Sequence, residues 1–255
     1  MPYLVRHIPH SSVVIPERDR EAFLLSDAQL ERELLLLTDR YTDELFGDVP
    51  GPAVISPVSR VVVDVERFED DELEPMAACG MGVVYTKTHD GNVLRRAPSE
   101  TEREELLDRY YRPHHAAFES AVERTLVEQG RVLIIDCHSY PSQTLPFEIF
   151  DHETRPEIGI GTDAFHTDEL LASRAVWEFA RRGFSVALNK PFPGAITPLK
   201  FYGREARVQS LMIEARRDLY MDELTGAKLQ AFDSVRAKIG QALIEVAEQS
   251  SAANR

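Results

Sequence analysis

Apolar residues cluster along the chain in two alternating patterns, one with the composition of buried strands and one with helical spacing. YLVRHI near the N-terminus is a largely apolar run that breaks at Pro9, so a first strand should end near His10. The clearest buried strand is RVLIIDCHS at 131–139, which ends in polar residues. Similar composition predicts further strands in AVIS (53–56), RVVVDV (60–65), MGVVYTKTH (81–89), IGIGT (158–162), FSVALN (184–189) and QSLMIEARRD (209–218).

Helix signals lie between these predicted strands. Capping boxes mark two helix starts, at Ser26 with Gln29 and at Ser99 with Glu102. The predicted helices cover 27–46, about 99–129 with a kink or division near Pro113, about 168–182, and 222–248. Gly130 is expected to end the second of these helices. Strands that alternate with helices predict a single domain over 1–255 with an α/β fold. We expect three α/β/α layers around a mixed, mainly parallel sheet.

Composition narrows the class of protein. A formal net charge of -14 argues against a nucleic-acid partner, which would need a cationic face, and favours a small-molecule substrate. No apolar run approaches the roughly 20 residues that span a bilayer, and the N-terminus lacks the features of a secretory signal. We therefore predict a cytoplasmic protein without a membrane partner. Two cysteines are too few for a disulfide framework, and no pattern defines an oligomeric state.

Polar side chains stand at the carboxyl ends of several predicted strands, where ligands gather in open α/β sheets. A catalytic zinc ion takes three protein ligands, commonly imidazoles and a carboxylate, and keeps a position for water or substrate. His10 and His138 supply two such ligands, and Glu214 is the candidate general base. The alternative for Glu214 is an ion pair with Arg216 or Arg217.

Asp136 lies two residues before His138, so both side chains point the same way on a strand. Its carboxylate is therefore a candidate to orient a ligand imidazole from behind. An equally favoured alternative is that Asp136 only caps the hydrophobic core at the end of the strand.

Several segments, in order over nearly the whole chain, resemble the N-formylglutamate amidohydrolase family. They are PHSS around His10, LTDRYTDELF with Thr38 and Asp39, DVER at 64–67, YYRPHH at 110–115, DCHS at 136–139, NKPFPGAITP at 189–198 and IEARRDLYMDE at 213–223. The resemblance implies a zinc-carboxypeptidase-like (phosphorylase/hydrolase-like) α/β fold. It also implies metal-dependent hydrolysis of N-formyl-L-glutamate to formate and glutamate, a step of histidine degradation.

The same resemblance implies the ligands of one divalent zinc ion. His10 and His138 match the family's PHS and D-x-H-S histidines. Related carboxypeptidase-like enzymes take another ligand from a glutamate three residues after the first histidine, but that position here is Val13. Asp39 matches the recurrent Thr-Asp of the family and is the expected replacement. The alternative is a surface aspartate on a helix that pairs with Arg40.

Substrate contacts follow from the segment DVER, where the family pattern is D-x-N-R. Arg67 fits the substrate's carboxylate because a guanidinium fork matches a carboxylate bidentately. Glu66 would repel that anion, which leaves two further interpretations open. One is a zinc hydrolase for another N-acyl amino acid or a peptidoglycan-like amide, and the other is a metal-free binding protein. The alternative for Glu66 is an ion pair with Arg60.

Additional contacts to the substrate are expected from Arg96 and Tyr202, with Arg95 and Lys200 as alternatives. The remaining histidines have weaker support. His115 matches a family histidine but fits helix packing equally well, and His166 is a lesser candidate in a loop. Structural or surface roles are expected for His7, His89 and His152.

Overall fold

Six strands form one sheet in this protein. The computed structural model describes residues 3–148 and 155–252, so His152 lies outside the described residues. The strands are β1 Leu4–Ile8, β2 Ala53–Ile55, β3 Val132–Tyr140, β4 Ile158–Gly161, β5 Val186–Leu188 and β6 Val208–Arg216. Their order is β2-β1-β3-β6-β4-β5. Only β4 and β6 pair antiparallel among these neighbours; the other four pairs are parallel. The predicted mixed, mainly parallel sheet is confirmed.

Helices cover both faces of the sheet. They are α1 Glu17–Arg20, α2 Asp27–Leu37, α3 Thr42–Leu45, α4 Glu100–Leu106, α5 Arg112–Gln129, α6 Glu169–Ala180 and α7 Phe232–Ala252. Residues 133, 135 and 137 of β3 pack with α3, α6 and α7 in one buried cluster. Residues 132 and 134 point to the other face and pack with α5. Because side chains alternate along a strand, this arrangement gives the predicted α/β/α layers. Across the described residues, no helix is long and apolar enough to span a membrane.

The register of the parallel strands places polar side chains together. His138 on β3 is directly opposite Glu214 on β6, and His7 on β1 is opposite Asp136 on β3. These four residues lie on the face that α5 covers, near the carboxyl ends of the strands. That edge of the sheet is the expected position of a ligand site in an open α/β sheet.

The helix predicted over 27–46 is interrupted, which corrects that boundary. It begins at the predicted capping box, but α2 ends at Leu37 and Thr38 adopts extended backbone angles. The backbone N–H of Asp39 then donates to the carbonyl of His10 at 3.0 Å. The Thr42 hydroxyl donates to the carbonyl of Asp39 at 2.9 Å, and a second short helix starts there. This break turns Asp39 away from the helix surface.

Two predicted strands, RVVVDV and MGVVYTKTH, are wrong. Their residues form turns and irregular segments, joined where the backbone N–H of Asp64 donates to the carbonyl of Val83 at 2.9 Å. Val61, Val62, Val63, Val83 and Val84 of these segments lie in a buried cluster with residues of α2 and α4. An apolar run of this length therefore reflects burial here, and burial alone does not distinguish a strand from a packed loop.

The helix ends also differ from the predictions in places. The predicted kink near Pro113 is a π-helical turn over Leu107–Tyr111, between α4 and α5. Gly130 ends α5 with a positive φ of 74°, as predicted. The last helix starts at Phe232, ten residues later than the predicted 222.

Candidate metal centre and cleft

A cleft of about 270 Å³ opens at the carboxyl ends of β1, β3 and β6. The structure brings five of the predicted site residues to its walls: His10, Asp39, Arg67, His138 and Glu214. Asp136 lies directly behind them, in contact with His138. The cleft therefore unites residues that are up to 204 positions apart in the sequence.

Carboxylates contact the Nε2 atoms of the two predicted histidine ligands. His10 Nε2 lies 2.8 Å from Asp64 Oδ1, and His138 Nε2 lies 3.0 Å from Asp136 Oδ1. If each Nε2 carries the donated proton, each Nδ1 keeps a lone pair. His10 Nδ1 is buried and has no hydrogen-bond partner among the described residues. A carboxylate that orients an imidazole in this way is characteristic of metal-binding histidines.

Asp39 faces these imidazoles. Its Oδ2 lies 3.1 Å from His138 Nδ1 and 3.7 Å from His10 Nδ1, while its Oδ1 accepts a hydrogen bond from Arg217 Nη2 at 2.9 Å. Although burial opposes ionisation, the two adjacent imidazoles and the charge of Arg217 hold the pKa of Asp39 well below its usual range. The residue is only 2% exposed, so the alternative of a surface aspartate paired with Arg40 is wrong.

Glu66 is a second carboxylate close to the same imidazoles. Its Oε2 lies 3.6 Å from His10 Nδ1, and its Oε1 lies 3.2 Å from His138 Nε2. Glu66, His10 and His138 each offer one ligand atom, and these three atoms lie within 4.8 Å of one another, so they could hold one metal ion. The ion pair considered for Glu66 with Arg60 does not form, because Arg60 Nη2 binds Asp64 Oδ2 at 2.8 Å.

The carboxylates around His10 and His138 create an electrostatic potential that favours a cation between the two imidazoles. Burial disfavours protonation of His138, but the charges of Glu66 and Asp136 raise its pKa well above the ordinary value. Burial and Arg60 also disfavour protonation of His10, and Asp64 and Asp39 outweigh them to raise its pKa. Carboxylates that attract a proton to buried imidazoles attract a divalent metal ion for the same electrostatic reason.

A further histidine supports the site, although sequence reasoning assigned it only a structural or surface role. His7 is fully buried, and its Nδ1 lies 2.8 Å from the same Asp136 oxygen that binds His138. Its Nε2 lies 2.9 Å from His114 Nε2. Burial, with His7 as the next cause, lowers the pKa of His114 to about 2, so His114 is neutral. The sequence signal was only the position of His7 in the first predicted strand, because its register opposite Asp136 is a property of the folded sheet.

Glu214 is buried in the wall of the cleft without the ion pairs considered for it. Arg216 pairs with Asp218 at 2.7 Å, and Arg217 pairs with Asp39. Glu214 Oε2 has no hydrogen-bond partner within the described part of the chain. Burial, reinforced by the charges of Asp39 and Glu66, raises the pKa of Glu214 to about 8.

The three arginines that line the cleft differ in their availability. Arg60 binds Asp64, and Arg217 donates to Leu36 O at 2.6 Å, to Ser139 Oγ at 3.2 Å and to Asp39. Arg67 has only longer contacts, 3.6 Å to Asp64 and 3.7 Å to Glu74. Its guanidinium is thus the one of the three that keeps hydrogen-bonding capacity for a ligand, as judged over the described residues.

Two predicted substrate contacts lie elsewhere, which corrects both predictions. The Arg96 side chain is 59% exposed and forms an ion pair with Glu102 at 2.6 Å, near the start of α4. Tyr202 is 51% exposed and stacks on His166, with ring centroids 5.7 Å apart. Neither lines the cleft, because the loops that carry them pack at other edges of the fold.

The other candidates also have local partners. Lys200 pairs with Glu123 at 2.9 Å, and His89 Nδ1 contacts Glu33 at 2.7 Å. His115 Nε2 lies 2.8 Å from the carbonyl of Val65, and His166 Nδ1 lies 2.6 Å from the carbonyl of Val208. These contacts favour structural roles for the four residues.

Comparisons with known proteins give one family model and similar solved structures. Residues 2–221 match the family model described as N-formylglutamate amidohydrolase. The chain is similar to the crystal structure of N-formylglutamate amidohydrolase from Ralstonia eutropha JMP134, with 26% identity, a TM-score of 0.83, and coverage of 97% of this chain and 93% of that one. It shares its fold with gene product Atu2144 from Agrobacterium tumefaciens, at 17% identity, a TM-score of 0.70 and coverage of 98% and 92%. No curated protein matches the chain significantly.

Proposed function

Because the chain belongs to the N-formylglutamate amidohydrolase family, we propose that it hydrolyses the amide of N-formyl-L-glutamate to formate and L-glutamate. The observation that carries this proposal is the convergence of His10, His138 and Asp39 beside Glu214, whose Oε2 has no hydrogen-bond partner among the described residues. The reaction would place the enzyme in histidine degradation, and we expect it in the cytoplasm.

A divalent metal ion fits the residues of the cleft, and we propose zinc. Two imidazoles and one carboxylate are the ligands of many catalytic zinc sites, here His10 Nδ1, His138 Nδ1 and Asp39 Oδ2. Asp64 and Asp136 hold the histidine rings behind these atoms, and Arg217 holds the other oxygen of Asp39. Such an ion supplies Lewis acidity, which polarises a carbonyl and lowers the pKa of water.

Glu214 is the proposed general base. Its carboxyl lies on β6 opposite His138, and a pKa of about 8 lets it hold or release a proton near neutral pH. The carboxylate takes a proton from the water that attacks the formyl carbon. It then returns that proton to the amide nitrogen as the bond to formate breaks, which leaves glutamate as a free amine.

Arg67 is the proposed anchor for a carboxylate of the substrate. Its guanidinium lines the cleft and is not committed to a close protein carboxylate. The expected repulsion by Glu66 is relieved in this geometry, because Glu66 points to His10 and His138 and its charge would face the metal ion.

A second candidate keeps these residues and changes the substrate. It is hydrolysis of another N-acyl amino acid or of a peptidoglycan-like amide. The observation that favours it is Glu66, a carboxylate in the cleft where the family pattern D-x-N-R has an asparagine.

Metal content and formate release test the proposal together. His138→Ala should lose metal and activity, whereas Glu214→Gln should keep metal and lose turnover. His89→Ala is the matched control, because His89 pairs with Glu33 outside the cleft and should affect neither property. Wild-type protein that binds no divalent metal would refute the metal proposal and favour a metal-free binding protein. Metal-loaded enzyme that cleaves only other N-acyl amino acids would favour the second candidate.

A further inference from the structure

A second cavity, of about 530 Å³, lies between α1 and the start of α4. It shares no lining residue with the metal cleft. Arginines are prominent in its walls, which include Arg18, Arg95, Arg96 and Arg109. Its volume is in the range of pockets that bind small molecules.

Arg95 is the unusual group in this cavity. The residue is 4% exposed, yet none of the described carboxylates lies within 4.0 Å of its guanidinium. Its Nη1 donates to the carbonyl of Val62 at 3.3 Å, and its Nε is buried without a partner. The guanidinium carbon stands 5.0 Å from the centroid of the Phe23 ring. Burial lowers the pKa of Arg95, as expected for a cation that no close anion compensates.

The acidic residues of the cavity are mostly committed to other cations. Asp19 accepts a hydrogen bond from Tyr110 Oη at 2.6 Å and pairs with Arg109 at 3.4 Å. Glu102 pairs with Arg96, as described above, and Glu105 pairs with Arg109 at 3.8 Å.

Three charged lining residues remain without a close ion pair among the described residues. They are Arg95, Arg18 at the exposed mouth, and Glu21. The four arginines and four carboxylates of the lining sum to zero charge, but three of the carboxylates pair with Arg96 and Arg109. The buried cation, Arg95, is therefore left without a carboxylate within 4.0 Å among the described residues.

Burial of a charge without a counter-charge costs free energy, and binding of an anion beside that charge offsets the cost. We propose that this cavity binds a small oxyanion, a carboxylate or phosphate group, between the guanidinium groups of Arg95 and Arg18. The planar guanidinium matches both groups through paired N–H donors. The aromatic ring of Phe23 holds the Arg95 guanidinium in place beside the cavity. This site is independent of the proposed hydrolysis.

Isothermal titration of the full-length protein with inorganic phosphate, and separately with succinate, tests this site and distinguishes the two anion sources. Each titration is matched by sodium chloride of equal ionic strength. For at least one of the two probes we expect a saturable site that is separate from any binding at Arg67 in the metal cleft. Arg95→Met should weaken that binding by at least about tenfold, and Arg18→Gln by roughly three- to tenfold, because each removes a charge-assisted contact.

Two control variants locate the bound anion. Arg207→Gln alters an exposed arginine outside both cavities, and Arg67→Gln alters the metal cleft. Arg207→Gln should keep the wild-type affinity. Arg67→Gln removes the proposed carboxylate anchor of the metal cleft, so binding that persists in this variant and is weakened by Arg95→Met lies in the second cavity. Loss of binding in Arg67→Gln alone would place the anion in the metal cleft and overturn the inference.

Arg95→Met changes a buried residue, so its thermal unfolding is measured alongside the titrations to show whether the variant folds. Without added anion, Arg95→Met should unfold at the wild-type temperature or above it, because it removes an uncompensated buried charge. If that variant does not fold, Arg18→Gln at the exposed mouth decides the question. Equal affinity in Arg18→Gln and wild type, or no saturable signal above the chloride control, would contradict the proposal.

Discussion

Replacement of Glu214 by glutamine should change the pH dependence of stability in the metal-free protein. Glutamine has nearly the same shape but cannot ionise, and Glu214 Oε2 has no hydrogen-bond partner among the described residues for the new amide to displace. The wild-type carboxyl, in contrast, must lose a proton inside a buried site that already holds Asp39 and Glu66. The substitution therefore isolates the effect of that one ionisation.

The raised pKa sets the size and sign of the effect. Burial raises the pKa of Glu214 from 4.5 to about 8. The folded protein thus holds this proton more tightly than the unfolded chain. The stabilisation is complete below the unfolded pKa and is lost as the pH rises through the folded pKa. Between about pH 6 and pH 9 the shift corresponds to about 2–3 kcal/mol of lost stability, at 1.36 kcal/mol per pKa unit.

Urea unfolding of both proteins after removal of metal measures this difference. The free energy of unfolding of Glu214→Gln, relative to wild type, should rise by about 2–3 kcal/mol from pH 6 to pH 9. Glu105→Gln, at an exposed position, should show no such trend. In the metal-loaded enzyme the same Glu214→Gln variant should lose about 10²- to 10⁴-fold in kcat, the usual contribution of a general base.

Two results would refute this reasoning separately. A stability difference that is constant between pH 6 and pH 9 would mean that Glu214 does not have a raised pKa in the folded protein. A metal-loaded Glu214→Gln enzyme with kcat within about tenfold of wild type would remove its role as the base.

Further substitutions test the assignments of Asp39, Arg67 and His7. Asp39→Asn should weaken zinc affinity by at least about 100-fold, measured by competition with a chelating dye, because it removes a proposed ligand; a larger loss in Glu66→Gln would transfer that role to Glu66. Arg67→Lys should lower kcat/KM by about 10- to 100-fold, mainly through KM, because a bidentate anchor becomes a point charge; an unchanged KM would contradict the anchor. His7→Phe should preserve the stacking on Phe118 but weaken zinc affinity by about 10- to 100-fold, because Asp136 loses one of its two histidine partners; unchanged affinity would exclude this support.

The convergence of His10, His138 and Glu214 could be predicted from the sequence. Each residue ends or closely follows a strongly apolar segment, and the carboxyl ends of neighbouring parallel strands meet at one edge of a sheet. The family resemblance added Asp39 and Arg67, and both line the cleft. The capping boxes likewise fixed the starts of α2 and α4, because they depend on residues only three positions apart.

The loops were predicted less well, because their backbone follows contacts between distant residues. RVVVDV and MGVVYTKTH have the composition of strands, but most of their valines pack against α2 and α4 without joining the sheet. The positions of Arg96 and Tyr202 were also predicted wrongly, because contacts with other residues direct both side chains. Each fits an anion site by residue type, and each is directed elsewhere by a neighbour, Glu102 or His166.

The layered α/β architecture and the two histidines and glutamate at the strand ends can be predicted from the amino-acid sequence, because periodicity and strand termination are local properties. Which carboxylates face those histidines depends on long-range contacts in the folded protein. Asp39 turns inward because its backbone binds the carbonyl of His10 and its side chain binds Arg217, 178 residues away. Glu66 points to the imidazoles because Asp64 already occupies Arg60. Such choices depend on partners that come together only when the chain has folded.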